Sequence, residues 1–251
     1  MTDARPIANI EHWEMRCDLA AAFRWAVRES LHEGVANHFS VAVNDSGTRF
    51  LMNPNQRHFA RIRASDLILV DAEDPATMEG PDAPDPTAWG LHGGMHRHVG
   101  WARCVMHVHS PYATALASLE DPSLPPVDQN AAMFYDRVVI DRDYGGLAFA
   151  DEGARCAAQF TDPKARVMVM GNHGVLVIGG TVAETWNRLY YFERAARNYM
   201  LALQTGRPLK VLSADVAEKT ARELEAYPEQ DVRHLAELRA ILDAEGSDYA
   251  S

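Results

Sequence analysis

The stretch ARVMVMGNHGVLVIGGTVAETWNRLYYFERAARNYMLAL, residues 165 to 203, constrains the fold more than any other part of the chain. Two short apolar runs flank the turn GNHG, which is the pattern of two strands joined tightly enough to lie antiparallel. A Gly-Gly break follows, then a long helical segment whose start carries Thr181 and Glu184 at capping-box spacing. A chain built around such a unit is of α/β type with β-hairpin character.

The remaining segments agree. IEHWEMRCDLAAAFRWAVRESLHEG reads as one amphipathic helix closed by Gly34. FSVAV, RFLMN and DLILVD read as short strands, and DAEDPATMEGPDAPDPTAWG, crowded with Pro, Asp and Gly, as loop. That loop is an excursion within one domain, because neither flank could bury a core alone. LHGGMHRHVGWARC reads as a short helix, CVMHVH as a strand and PYATALASL as another helix. No repeat or heptad array is visible.

Composition removes several function classes. A net charge of −11 leaves no excess of Lys and Arg for phosphate neutralisation, so no nucleic-acid partner is expected. No run of eighteen apolar residues is present and the opening MTDARPIANIEHWEM has no signal-peptide core, so neither a membrane nor export is expected. Three widely spaced cysteines form neither a disulfide framework nor a CxxC pair. A cytoplasmic protein is the expectation.

The residues able to do chemistry are histidines. In an extended strand His107 and His109 project to the same side and could share a metal ion. Catalytic zinc sites use three protein ligands, and His173, in the GNHG turn, is the natural third. HxH alone is a weak pattern, and Asn-His-Gly alone is ordinary turn chemistry; their joint occurrence favours a metal. His92 and His96 fall four apart on one helix face, with His98 following. Without the Glu of HExxH they suit packing or support of a site, His92 being the one placed to face it. Asn37, in EGVANHFSV, could hold an anionic group or simply shape an Asx-turn.

Taken together, EGVANHFSVAVN, the HxxxH followed by CVMHVHSPYATALA, DQNAAMFYDRVVIDRDYGGLAF and GNHGVLVIGGTVAETWNRLYYFERAARN resemble, in order and spacing, the class II aldolase/adducin family. The resemblance covers residues 10 to 205, with 206 to 251 a helical extension of the same domain. It implies a three-layer α/β/α fold around a mostly antiparallel sheet, in a homotetramer with active sites at subunit interfaces. It also implies that His107, His109 and His173 bind a divalent metal, zinc first and Fe(II) or manganese as alternatives.

Two departures bear on the reaction. The family's catalytic Glu falls at Ala88, and its Gly-containing phosphate loop falls at LMNPNQRHF, which has no Gly. Asn37 matches a phosphate-contacting Asn, but most of that residue's partners are missing. A small or aromatic oxo or hydroxy acid is therefore expected in place of a sugar phosphate, with Asn37 and His92 as substrate-binding candidates. Glu33 and Tyr135 are the first candidates for the missing acid/base, with Tyr144 and Asp141 behind them. The resemblance implies a metal-dependent lyase that makes or breaks a C–C bond beside a carbonyl through a metal-stabilised enolate. A second reading is a non-haem Fe(II) oxygenase or decarboxylase on the same three histidines; a third is a non-catalytic adducin-like binding module, against which the retained histidines argue.

Overall fold

The computed structural model describes residues 10–80, 83–144, 146 and 152–251. The N-terminal residues 1–9 and part of DYGGLAF lie outside them. Within the described residues seven strands form one sheet: β1 (His38–Ala42), β2 (Arg49–Met52), β3 (Ile68–Asp71), β4 (Cys104–Val108), β5 (Val138–Asp141), β6 (Val167–Met170) and β7 (Gly174–Gly179). Their order is β3-β2-β1-β4-β7-β6-β5. Every neighbouring pair is antiparallel except β5 with β6. Among the described residues eight α-helices accompany it: α1 (Trp13–Arg28), α2 (Pro86–His98), α3 (Pro111–Ala117), α4 (Gln129–Ala132), α5 (Glu152–Gln159), α6 (Val182–Gln204), α7 (Ala214–Glu225) and α8 (Gln230–Ala244).

Alternation along the strands sorts them into two buried faces. Phe39, Val41, Met106, Val108, Val167, Val169, Val175 and Val177 meet α1, α3, α6 and α8 in the larger core. Val105, Met168, Met170, Leu176 and Ile178 meet Leu91, Met95 and Cys156, from α2 and α5, on the opposite face. The architecture is the expected three-layer α/β/α sandwich. The C-terminal α8 packs on α1 and α6, with the Trp25 indole N–H donating to the Leu238 carbonyl at 3.0 Å. No helix among the described residues is long and apolar enough to cross a membrane.

Three local readings change. Helix α1 ends at Arg28, short of Gly34, because Ser30 adopts φ 56° and a Schellman pair closes the end. The pair consists of Leu31 N–H to Ala26 O at 2.8 Å and Ser30 N–H to Val27 O at 3.1 Å. Helix α2 starts inside the stretch read as loop: the Asp85 carboxylate accepts from Thr87 N–H at 2.9 Å, and Pro86 occupies the first turn. There a missing N–H costs nothing, so Asp-Pro marks a helix start as readily as a turn. Finally, β5 went unread as a strand; it forms the parallel edge pair with β6.

The glycines of α2 have a packing reason. A Cβ at Gly94 would lie 2.3 Å from the Gly153 carbonyl carbon, and one at Gly153 would lie 2.0 Å from the Gly90 carbonyl oxygen. Helices α2 and α5 thus touch backbone to backbone, which brings Glu152, the first residue of α5, to the edge of the site.

Candidate functional site

His107 sits near the end of β4 and His109 just beyond it, while His173 lies in the β6–β7 turn. Strands β4 and β7 pair in register, Val108 opposite Val175, so the turn is folded back onto the two β4 histidines. Gly174 is required there: a Cβ would lie 2.5 Å from the Val108 oxygen and 2.8 Å from the His109 ring. One ring nitrogen from each histidine falls within 4.8 Å of the others.

The protons on these rings are fixed by their partners. His107 Nδ1 donates to the Val175 carbonyl at 3.0 Å, and His109 Nδ1 donates to Glu33 Oε2 at 2.5 Å. A carbonyl or a carboxylate only accepts, so in the neutral form of each ring Nε2 carries the lone pair. Those two Nε2 atoms stand 3.1 Å apart. Two lone pairs facing each other repel unless a cation lies within reach of both, so the donor set fits a divalent metal of the kind imidazole binds. Burial pushes the affinity for a proton well down at His107 and down at His173, helped in both by the neighbouring histidines. Both rings are thus held neutral, the form that ligates.

These rings open on a cleft of about 340 Å³, whose walls include His38, Asp85, Pro86, Leu91, Glu152 and Met170. No Lys or Arg is among the described residues that line it. Glu33 stands at the rim, its side chain 66% exposed. Asn37 is buried; its Oδ1 accepts from Glu33 N–H at 2.6 Å, and its Nδ2 has no partner among the described residues. Tyr144 lies over the opening, 5.9 Å from the His173 ring.

The other candidates fall elsewhere. His92 does not reach the cleft: it is fully buried behind His38, both ring nitrogens engaged by His38 and Ser40. Tyr135 is half-buried and is not among the residues lining the cleft. Asp141 is buried and paired with Arg155 at 2.5 Å. Ala88 is buried with Ala42, Phe50, Met52 and Val70 in a small apolar cluster, and its other side borders a small pocket shared with Asn37, His38 and Asp85. The sequence reading passed over three cleft residues. Asp85 carried a visible signal, the Asp-Pro of a helix start. Glu152 carried none, and His38 was masked by its apolar strand context.

A second group of three donors, Asp141, Glu152 and Cys156, also falls within 4.8 Å. Both of its carboxylates already have a cationic partner. Arg155 donates to both Asp141 oxygens at 2.8 and 2.5 Å and to Glu152 Oε1 at 2.6 Å. Burial raises the Cys156 thiol far above its ordinary range, keeping it protonated.

Comparison with known proteins shows the family and the fold. The family model for the Class II Aldolase and Adducin N-terminal domain matches residues 17–200. The decarboxylase NovR of Streptomyces niveus is 30% identical over 198 residues, 78% of this chain and 71% of its own. The 4-hydroxy-3-prenylphenylpyruvate oxygenase/4-hydroxy-3-prenylbenzoate synthase of Streptomyces roseochromogenus subsp. oscitans is 29% identical over 198 residues, covering 78% and 69%. An aldolase II superfamily protein from Pseudomonas syringae superposes with TM-score 0.83 at 27% identity, over 97% of this chain and 98% of that one. The chain belongs to the class II aldolase/adducin family.

Proposed function

We propose that the protein is a metal-dependent lyase acting on a small or aromatic oxo or hydroxy acid, with His107, His109 and His173 holding a divalent cation, zinc foremost. The observation that carries the reading is the pair of imidazole lone pairs 3.1 Å apart on the wall of the cleft, with His173 completing the set. In C–C cleavage beside a carbonyl, the bond's electrons pass into an enolate, and the cation would stabilise that charge. Glu33 would orient His109 and keep its proton on Nδ1. Asn37, with a free amide donor, would take an oxyanion of the substrate. The lack of Lys or Arg among the described cleft residues supports a carboxylate or hydroxyl ligand over a phosphate. Glu33 and Tyr144, at the rim, are better placed than Tyr135 to exchange protons with a ligand. A homotetramer with interfacial sites accords with that open rim, and a monomer by light scattering would count against it.

A second reading has support in the relative named as an oxygenase, because three imidazoles suit Fe(II) as well as zinc. Metal analysis of protein purified without added metal separates the two. Near-stoichiometric zinc supports the lyase, and oxygen-sensitive iron supports the oxygenase. Failure to bind any metal under loading would remove both and leave the adducin-like module.

A further inference from the structure

Behind the cleft wall, β1 and α2 build a chain of hydrogen bonds that none of the roles above uses. His38 and Ser40 lie two apart on β1, an advance of about 6.8 Å along a strand. His92 and His96 lie four apart on α2, an advance of about 6.0 Å along a helix. The two spacings match closely enough for their side chains to interleave. His38 Nδ1 meets His92 Nε2 at 2.7 Å, His92 Nδ1 meets Ser40 Oγ, Ser40 Oγ meets His96 Nε2 at 2.7 Å, and His96 Nδ1 meets the Ala102 carbonyl at 2.7 Å. All four side chains are buried, none more than 6% exposed.

The far end of this chain gives it a direction. Ala102 O only accepts, so His96 carries its proton on Nδ1 and leaves Nε2 as an acceptor. Ser40 must then donate to His96 and accept from His92 Nδ1–H. His92 Nε2 is left to accept from His38 Nδ1–H. The opposite polarity would set the His96 Nδ1 lone pair against the lone pairs of the Ala102 carbonyl, with no proton between them. The deduction rests on partner geometry alone: each link joins one donor to one acceptor among four buried side chains. His38 is left with an unprotonated Nε2 that has no partner among the described residues, on a ring that lines the cleft. That ring stacks on His107 with centroids 4.9 Å apart, and its nitrogens lie outside the three-histidine cluster.

We propose that the His96–Ser40–His92 chain locks His38 as its Nδ1–H tautomer, so that Nε2 accepts a hydrogen bond from a hydroxyl of the bound substrate and selects hydroxy acids over acids without that donor. The assignment rests on the cleft being the binding site of the proposed lyase and narrows the oxo-or-hydroxy choice left open there. Asp85 and Glu152, the carboxylates that line the cleft with His38, accept hydrogen bonds too and compete for the same hydroxyl, so the variant comparison below reads the share that His38 Nε2 takes.

Two measurements on the full chain test it. Long-range proton–nitrogen NMR of the imidazoles, in zinc-free and zinc-loaded protein, reads the tautomer directly. The expected result is a single Nδ1–H form for His38, replaced by a mixture in Ser40→Ala. A wild-type His38 carrying its proton on Nε2, or a Ser40→Ala protein with the single form unchanged, overturns the lock. The second measurement compares glycolate with acetate, which differ by one hydroxyl, as ligands of the zinc-loaded protein. In His38→Asn the side-chain amide can still donate towards His92 while the Nε2 acceptor is gone. The glycolate-to-acetate affinity ratio is expected to fall about tenfold with zinc content unchanged; an unchanged ratio overturns the hydroxyl assignment. Failure of the lyase reading is seen separately, as a wild type that retains no zinc, and the tautomer is still read on that protein.

Discussion

Two sets of three donors lie close together, one lining the cleft and the other reaching it through Glu152 alone, and the difference between them lies in what answers their charge. Asp141, Glu152 and Cys156 surround a guanidinium that donates to both carboxylates. His107, His109 and His173 have given their known N–H groups to Val175 and Glu33 and face one another with lone pairs. Proximity of ligand-type residues is common to both. Only the second arrangement is left with electron density and no positive partner, and that distinguishes a place for a metal from an internal ion pair.

The comparison can be broken at several points. His107→Ala with His109→Ala should lower zinc affinity by about 10³-fold or more, since two of three ligands go; equilibrium dialysis with full zinc retention would refute the ligand assignment. Gly153→Ala should cost at least about 3 kcal/mol, because its Cβ would collide with the Gly90 backbone, which cannot rotate away. A urea midpoint equal to that of the wild type would show that the two helices part easily. Arg155→Met should cost about 2 kcal/mol by the same measurement, less than a fully buried pair because the Arg155 side chain is 35% exposed. Adding Asp141→Leu should recover part of that loss, and a double variant less stable than the single would show that Asp141 has a further partner. Glu33→Gln should weaken zinc about tenfold by loosening His109, with no change in folding stability. Equal zinc affinity would make Glu33 a rim charge only.

The sequence was most informative where one short segment carries a whole geometric relation. The HxH of β4 and the NHG turn are of that kind, since a strand end and a tight turn place their side chains whatever packs around them. It was least informative where the relation joins segments. His38 matters because β1 pairs with β4, His38 opposite His107, and because α2 crosses behind it; within ANHFSV it is one histidine in an apolar strand. Helical spacing put His92 and His96 on one face correctly, yet could not show that His38 stands between that face and the cleft. Likewise the absence of a Glu at position 88 was readable, but the carboxylates of Asp85 and Glu152 come from a helix cap and from a helix start more than sixty residues away. The end of α1 escaped because a serine, not a glycine, takes the left-handed position.

The glycine contact between α2 and α5 has a consequence for how such a pocket can change. With backbone against backbone at Gly94 and Gly153, the spacing of the two helices is already at its minimum, and no trimming of side chains can draw them closer. Glu152, at the head of one helix, and the His92–His96 pair on the other therefore keep a set separation, like two jaws resting on a stop. A pocket on this frame that came to admit a bulkier or slimmer acid would do so through Pro86, Leu91 and Met170, apolar residues of the cleft wall, while the frame stays as it is.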